Sequence, residues 1–338
     1  MFYDVNGNEM SAGYSVSGTM LTRGYDVNGN PIDAVVEPYT IDNVVSYYQQ
    51  STLDMVDEIN DLSDDILPFV IITDSHGTNN AQNSQAIGAY IVRNSRANRL
   101  FHLGDVAYNL WSEEEYRTWF TPLLNACQSQ LYFACGNHEF FSGSYTKLEC
   151  VYNDVLANKS YLSGNPEHFY YYFDDPSYKV RFIVINTSDG QASAFSSAQN
   201  SWLSSTLSST PSNYKVVIFG HFDIMPNDPI TDQWNSGQAS TITATIKTCP
   251  VPIVGYFCGH EHLDRVVKVD DSFWMITCLN DSCAKDSSTS IVNPTRTRGT
   301  VSEQAVSIVC ANIKTGDVEI KRIGAKNPDI DLSYNFND

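Results

Sequence analysis

The chain is poor in basic residues and contains few histidines for its length. It has 20 Lys and Arg against 39 Asp and Glu in 338 residues, which gives a formal net charge of −19. General binding to nucleic acids or to anionic membranes depends on basic surface stripes, so this composition argues against both. A small phosphorylated substrate remains compatible with the charge, because bound divalent cations would be the largest local charges in a site.

Two targeting patterns are also absent from the sequence. No apolar run reaches the length of a transmembrane helix. The first residues contain no basic segment followed by an apolar stretch, the pattern of a secretory signal. We therefore expect a soluble protein made in the cytoplasm without membrane insertion, and association with a phage particle stays open.

The eight cysteines do not form a Cys-x-x-Cys pair. Cys135 and Cys258 lie inside apolar runs, where cysteine behaves as a small buried hydrophobic residue. The spacing favours mostly reduced thiols. Cys278 and Cys283 are the pair most compatible with a disulfide.

A short repeat sets the first residues apart from the rest of the chain. The sequence Tyr-Asp-Val-Asn-Gly-Asn occupies residues 3–8 and recurs at residues 25–30. Asn-Gly tolerates positive φ at both turn positions, so the repeat predicts a pair of β-hairpins or a poorly ordered arm. A sharper hypothesis is an attachment or oligomerisation module, because the repeat looks like the repetitive N-terminal stretches of some phage or prophage structural proteins.

Residues 40–62 follow helical spacing and predict a connecting helix. We therefore place a small hairpin and helix appendage at residues 1–63 and the main domain at residues 64–338. In the main domain, strand-like runs alternate with helical candidates at about 80–97, 112–126, 145–158, 196–208 and 237–248, and short strands follow after residue 263. This order predicts a layered α/β fold with two packed sheets.

Five short polar clusters contain five of the seven histidines. They are Asp74-Ser75-His76, Gly104-Asp105, Gly136-Asn137-His138-Glu139, Gly220-His221 and Gly259-His260-Glu261-His262. Each cluster follows an apolar run that predicts a β-strand. Strand ends converge at one edge of a sheet, so the clusters are expected to meet at one point.

The clusters supply carboxylate, amide and imidazole groups that suit divalent cations. The candidate ligands are Asp74, His76, Asp105, Asn137, His221, His260 and His262. This set favours Mn, Fe, Zn or Ni over a metal that prefers thiolates. Seven ligands are too many for one tetrahedral ion, whereas two ions that share a bridging carboxylate account for the number.

The five motifs, in this order over roughly residues 66–282, resemble those of the calcineurin-like metallophosphoesterase superfamily. The resemblance implies an α/β fold of two packed mixed β-sheets flanked by helices, a four-layer sandwich. It also implies that Asp74, His76 and His262 hold the first metal, that Asp105 bridges the two ions, and that the second metal takes the remaining ligands, Asn137, His221 and His260. His138 is then the histidine that contacts the scissile phosphate and assists the leaving oxygen.

The segment Gly104–Tyr108 reproduces the Gly-Asp-x-x-Tyr motif of purple acid phosphatases, whose tyrosine binds iron. Those enzymes usually have Asp-x-Gly where this chain has Asp74-Ser75-His76. Because His76 already fills the first metal site, we expect Tyr108 to lie behind the ligands or to face the substrate, together with Asn109 and Glu139. His102 is expected in the core or behind the ligands.

The resemblance implies hydrolysis of phosphomonoesters or phosphodiesters by metal-activated hydroxide. A diesterase is slightly favoured, because the Asp-x-His form of the first motif is common among diesterases of the superfamily. The expected partner is a small phosphorylated substrate, with an oligomer possible through the N-terminal segment. The alternative is a phage-associated or cell-surface structural or attachment protein with a vestigial metal site, which the N-terminal repeat motivates.

Overall fold

The computed structural model describes residues 39–77, 81–107, 112–140, 148–190, 193–226, 236–281 and 294–338, together with four short strands before residue 34. The chain divides into two compact units, Met1–Thr40 and Ile41–Asp338. In the first unit, β1 (Phe2–Tyr3) pairs with β2 (Glu9–Met10), and β3 (Arg23–Tyr25) pairs with β4 (Pro31–Asp33). Both pairs are antiparallel. In each pair, the first strand ends at the first residue of one copy of the repeat, and the second strand begins just after that copy.

The second unit contains two large sheets. Their strands are β5 (Ile66–Ile72), β6 (Leu100–His102), β7 (Leu131–Phe133), β8 (Ser163–Asn165), β9 (Tyr170–Asp175), β10 (Val180–Val184), β11 (Lys215–Phe219), β12 (Ile253–Cys258), β13 (Arg265–Val269), β14 (Phe273–Thr277), β15 (Ala305–Asn312), β16 (Asp317–Gly324) and β17 (Ser333–Asn335). Over the described residues, one sheet has the order β17-β16-β15-β5-β6-β7 and the other β13-β14-β12-β11-β10-β9-β8.

The helices of the second unit lie between and after these strands. They are α1 (Ser46–Asn60), α2 (Ala81–Asn94), α3 (Glu113–Cys127), α4 (Glu149–Val151, continued by a π-helix at Tyr152–Leu156), α5 (Ser197–Ser208) and α6 (Ser236–Ile246). The acidic run that begins at Glu113 opens α3, where carboxylates interact favourably with the positive end of the helix dipole.

Both sheets are mixed, and each has a parallel centre. In one sheet β5, β6 and β7 run parallel, whereas β15 runs antiparallel to β5. In the other sheet β10, β11, β12 and β14 run parallel, whereas β9 and β13 are antiparallel to their neighbours. The parallel strands of each sheet therefore end at a common edge, where loops can carry functional groups.

A cluster of phenylalanines fills the space between the two sheets. Phe69 on β5 makes edge-to-face contacts with Phe182, Phe219 and Phe257 of the opposite sheet. Phe101 on β6 stacks on Phe219, with ring centroids 3.9 Å apart. A fully buried Phe side chain contributes roughly 1.5–3 kcal/mol, so this cluster is a major part of the core.

Helices cover the outer faces of both sheets and complete the sandwich. On one side α1, α2 and α3 pack against the sheet that contains β5, β6, β7, β15 and β16. On the other side, Leu203 and Leu207 of α5 and Ile242 and Ile246 of α6 lie in one buried cluster with residues of β10, β11, β12 and β14. The predicted fold class, two mixed sheets flanked by helices, is thus confirmed.

Helix α1 belongs with the residues that follow it. Its side chains Tyr48, Met55, Val56 and Ile59 are buried, and the second compact unit begins at Ile41. Helix α1 also contacts α2 and β16. The boundary predicted after residue 63 places α1 with the appendage and stays a prediction.

Two smaller expectations concern membranes and cysteines. No helix in the described ranges is long and apolar enough to cross a membrane. Cys135 and Cys258 are fully buried, as predicted. No disulfide joins two of the described cysteines. Cys283 lies outside the described residues, so its pairing with Cys278 stays a prediction.

Candidate metal centre

The five polar clusters meet at the carboxyl ends of parallel strands. Asp74 and His76 follow β5, Asp105 follows β6, and Asn137 and His138 follow β7. From the other sheet, His221 follows β11, and His260 and His262 follow β12. The two sheets thus contribute to one cluster from both sides.

Several of these residues have a left-handed backbone. The φ angles are 56° at Asp74, 51° at His76, 53° at Asp105, 67° at His260 and 55° at His262. Residues with a Cβ rarely adopt this conformation, which costs of order 1–3 kcal/mol per residue and persists where surrounding contacts impose it. Here the Asp74 N–H donates to Gly104 O at 3.0 Å, and the His76 N–H donates to Asp105 O at 2.9 Å.

Asp74, His76 and His262 form the first group of converging side chains. Asp74 Oδ1 lies 3.4 Å from His262 Nε2, and His262 Nε2 lies 2.9 Å from His76 Nε2. One potential ligand atom from each residue lies within 4.8 Å of the others. Asp74 is held by its other oxygen, Oδ2, which accepts hydrogen bonds from Thr73 Oγ1 at 2.6 Å and from the His260 N–H at 3.0 Å.

Asn137, His221 and His260 form the second group. Asn137 Oδ1 lies 3.0 Å from His221 Nε2 and 3.0 Å from His260 Nδ1. The other ring nitrogen of His221, Nδ1, lies 2.7 Å from Leu103 O, so it carries the proton of a neutral ring. This bond directs Nε2 into the cluster, where its lone pair becomes available to a cation that displaces the Nε2 proton.

Asp105 lies between the two groups. Its Oδ2 is 4.0 Å from His76 Nε2 and 3.3 Å from His221 Nε2. Its Oδ1 accepts a hydrogen bond from the His138 N–H at 2.9 Å. Asp105 Oδ2 therefore lies close to both groups of side chains.

His138 borders the cluster and, like His262, is less buried than the other side chains there. Its side chain is 15% exposed, against 2% for Asp105. Its Nε2 lies 3.8 Å from Asp105 Oδ2, and its ring meets the ring of His76 edge to face at 4.9 Å. His138 is thus placed to contact a molecule that enters from solvent.

Burial and the two carboxylates determine the charge states in the cluster. Burial lowers the pKa of His76 to about 4 and that of His260 to about 3, so both rings are neutral near pH 7. Burial opposes the charged form of His221 as well, but Asp105 and Asp74 outweigh it and raise the pKa of His221 to about 10. The nearby imidazoles likewise overcome burial and lower the pKa values of Asp74 and Asp105.

Glu139 supports the loops of β6 and β7 from behind the cluster. Its carboxylate is 2% exposed and accepts hydrogen bonds from three backbone N–H groups, those of Asp105 at 2.9 Å, Val106 at 2.8 Å and Gly136 at 2.7 Å. The loops approach so closely that a Cβ on Gly136 would lie 2.1 Å from Asp105 Oδ1. The backbone around Asp105 is thus tied to the loop that carries Asn137.

The chemistry of the cluster fits divalent cations. Asp74 Oδ1 is buried and has no hydrogen-bond partner among the described residues. Imidazole nitrogens and carboxylate and amide oxygens converge without thiolates, which is a donor set for Mn, Fe, Zn or Ni. A cation between these atoms would satisfy Asp74 Oδ1.

Other predicted residues fall in different places. Tyr108 and Asn109 lie outside the described residues, so their predicted contacts stay predictions. His102 is fully buried, as expected. Two residues that contact the site were not predicted from the sequence. Thr187 Oγ1 accepts from the His221 N–H at 3.3 Å, and Asp281 Oδ2 accepts from Ser75 Oγ at 2.5 Å. Neither belongs to a recognisable motif.

The model of the calcineurin-like phosphoesterase family matches residues 67–264, more than half of the chain. The chain therefore belongs to the calcineurin-like phosphoesterase family.

The fold is also similar to solved structures. A dimetal phosphatase from Danio rerio is 15% identical, with 80% of this chain and 99% of that chain covered and a TM-score of 0.58. A purple acid phosphatase from yellow lupin (Lupinus luteus) seeds is 13% identical, with 80% of this chain and 53% of that chain covered and a TM-score of 0.47. The first likeness shows the shared fold. No curated protein sequence matches the chain significantly.

Family membership establishes the broad activity. The chain is a hydrolase that acts on phosphoester bonds and depends on divalent metal ions, in agreement with the clusters of potential ligands. The alternative of a structural protein with a vestigial metal site finds no support in the comparisons.

Proposed function

We propose that the chain is a dinuclear phosphoesterase that prefers small phosphodiesters. Asp74, His76 and His262 would hold the first cation, and Asn137, His221 and His260 the second. Asp105 would contribute to both. The proposal adds specific metal ligands and a substrate class to the activity shown for the family.

One observation carries the proposal: two groups of converging ligand atoms share Asp105. Its Oδ2 lies within 4.0 Å of His76 Nε2 in the first group and 3.3 Å of His221 Nε2 in the second. A carboxylate between two sets of imidazoles supports a pair of cations that share it.

When bound, the two cations would neutralise charge on the phosphoryl oxygens and make hydroxide accessible near neutral pH. The protein's own contribution is to orient the metal-binding side chains before the substrate binds. Glu139 fixes the backbone of Asp105, and Leu103 O fixes the tautomer of His221. His138 lies at the exposed rim, where a protonated ring can contact a phosphoryl oxygen and donate its proton to the departing ester oxygen.

The metal identity and the diester preference are the finer parts of the proposal. The N and O donor set supports Mn, Fe, Zn or Ni. The Asp74-x-His76 motif, whose form is common among diesterases of the superfamily, supports a diester substrate. Nucleotides, cyclic nucleotides and glycerophosphodiesters are the substrate types to compare.

Hydrolysis of bis-p-nitrophenyl phosphate and p-nitrophenyl phosphate, each measured with Mn, Zn, Ni or Fe, tests the proposal. We expect kcat/KM to be higher for the diester. Asp105→Asn should lower kcat/KM more than about 100-fold, because a loss of about 3 kcal/mol of transition-state stabilisation corresponds to that factor. Asp175→Asn is a matched control, since Asp175 is buried but bonds to Arg99 away from the cluster.

The outcomes separate the activity from its details. Hydrolysis of the monoester alone would contradict the diester preference but not the proposed metal centre. A folded protein that binds metal but hydrolyses neither ester would favour the attachment role suggested by the N-terminal repeat. An oligomer that is lost on deletion of residues 1–40 would assign self-association to that segment.

A further inference from the structure

Asp281 is a buried carboxylate outside the proposed ligand set. It follows β14 and is fully buried. Its backbone is fixed on both sides: its N–H donates to Thr73 O at 2.8 Å, and its C=O accepts from the Ala305 N–H at 3.1 Å. Ser84 Oγ on α2 donates to the same C=O at 2.6 Å. Three elements of the fold therefore hold Asp281 in place.

The side chain of Asp281 contacts the loop that carries two proposed ligands. Ser75, between Asp74 and His76, donates from Oγ to Asp281 Oδ2 at 2.5 Å. The other carboxylate oxygen of Asp281 has no hydrogen-bond partner among the described residues. Ser75 is therefore the main partner of this carboxylate in the described part of the chain.

His102 extends the chain of hydrogen bonds to the next loop. The Gly104 N–H donates to His102 Nδ1 at 3.2 Å, so a neutral ring carries its proton on Nε2. His102 Nε2 lies 2.9 Å from Ser75 Oγ and donates to it. The bonds run in one direction, from His102 to Ser75 to Asp281.

This arrangement differs from a hydrolytic Ser-His-Asp triad. In such a triad the histidine lies between the serine and the carboxylate and accepts the serine proton. Here Ser75 is in the middle, donates its hydrogen bond to Asp281, and is 1% exposed. The hydroxyl is therefore a connecting group and not a nucleophile.

The hydrogen bonds of Ser75 hold a segment whose backbone is strained. Asp74 and His76, on either side of Ser75, both have a left-handed backbone, which non-glycine residues keep only where the surroundings impose it. Ser75 accepts a hydrogen bond from His102 and donates one to Asp281, and these two bonds fix the residue between Asp74 and His76. They also tie this segment to the turn that begins at Gly104 and carries Asp105.

We propose that Asp281, acting through Ser75 and His102, is a positioning residue that aims Asp74 and His76 at the first cation. This inference rests on the proposed assignment of the metal ligands. It predicts that loss of the Asp281 carboxylate weakens the first cation site more than the second, whose ligands Asn137, His221 and His260 follow other strands.

Titration of the metal-free protein with Co(II), followed by its visible absorption, tests the inference. In a His260→Ala background only the first site remains intact, and adding Asp281→Ala should lower its Co(II) affinity about 10–100-fold, the usual effect of removing a group that orients a ligand. In a His76→Ala background only the second site remains intact. There Asp281→Ala should change the affinity less than about threefold.

Two further variants guard against a general loss of structure. Ser75→Ala should reproduce the selective weakening, because it breaks the same connection with a smaller change. Asp175→Asn removes a buried carboxylate bonded to Arg99 and should leave both affinities unchanged even where it lowers the unfolding temperature. Circular dichroism shows which variants are folded.

Equal weakening of both sites, or wild-type affinity in folded Asp281→Ala and Ser75→Ala, would overturn the positioning role. A different result would overturn the proposed function itself: the unsubstituted protein would bind no Co(II). The two failures are therefore distinguishable in the same titration.

Discussion

At the scale of single residues, the metal centre depends on side chains that hold strained backbone in place. Asp74, His76 and Asp105 have φ values between 51° and 56°. Their conformation is imposed by hydrogen bonds from neighbouring loops, including those to Glu139. Residues that touch no substrate should therefore affect both stability and metal binding.

Glu139→Gln tests this dependence. The carboxylate of Glu139 accepts from the backbone N–H groups of Asp105, Val106 and Gly136, whereas the glutamine amide has one accepting oxygen. At least one buried N–H loses its partner, which costs about 1–3 kcal/mol. Denaturant unfolding should show this loss, and Glu167→Gln, an exposed change, should not. Equal stability of both variants would contradict the supporting role.

His138→Ala tests the role of the rim histidine. We expect kcat to fall about 10²–10⁴-fold, the usual contribution of a general acid, with metal content unchanged. The loss should be larger for a phenyl ester than for a p-nitrophenyl ester, because a poorer leaving group needs the proton more. His168→Ala, outside the cluster, is the control. An equal fall in kcat for both esters would contradict proton donation by His138.

At the scale of strands and helices, the order of elements brings distant residues together. Parallel strands in both sheets end at one edge, and each ligand follows one of these strands. Helix α1 stabilises the same folded unit. Its Tyr48 hydroxyl donates to Thr300 O at 3.2 Å and accepts from the Gln304 N–H at 2.8 Å, in the segment that leads into β15.

Two deletions test where the folded body begins. Removal of residues 1–40 should leave the unfolding temperature of the remainder within about 2 °C, since contacts group α1 with later residues. Removal of residues 1–63 also deletes Tyr48, Met55, Val56 and Ile59, all buried. At roughly 1.5–3 kcal/mol each, their loss rivals the whole stability of a typical domain. A stable fragment 64–338 would instead support the boundary predicted from the sequence.

The sequence predicted the elements that carry local signals. The apolar runs before the five clusters are β5, β6, β7, β11 and β12, because a buried strand needs a continuous apolar stretch. Asp281 could not be found this way. Its partner Ser75 is 206 positions away, and no local pattern marks a hydrogen bond over that distance. Thr187 escaped notice for the same reason, since it follows β10 without a metal-binding motif.

At the scale of the whole molecule, the dominant feature is the negative charge. A net charge of −19 produces self-repulsion that destabilises the compact state at low ionic strength. Salt screens this repulsion, since the Debye length falls from about 10 Å at 0.1 M to about 3 Å at 1 M.

The unfolding temperature of the metal-free protein should therefore rise with KCl. Between about 0.05 M and 0.5 M we expect an increase of a few degrees, because about 1 kcal/mol corresponds to about 2–4 °C in a domain of 150–250 residues. Scanning calorimetry at fixed pH provides the measurement. A flat or falling unfolding temperature would show that specific ion pairs, such as Arg322 with Asp264, outweigh the net charge.

Anomalous diffraction from crystals grown with Mn, recorded on both sides of the metal absorption edge, tests the central claim most directly. We expect two peaks about 3.5–4 Å apart, one beside Asp74, His76 and His262 and the other beside Asn137, His221 and His260, with Asp105 between them. The absence of both peaks from this cluster, or metal bound only elsewhere in a folded protein, would contradict the account.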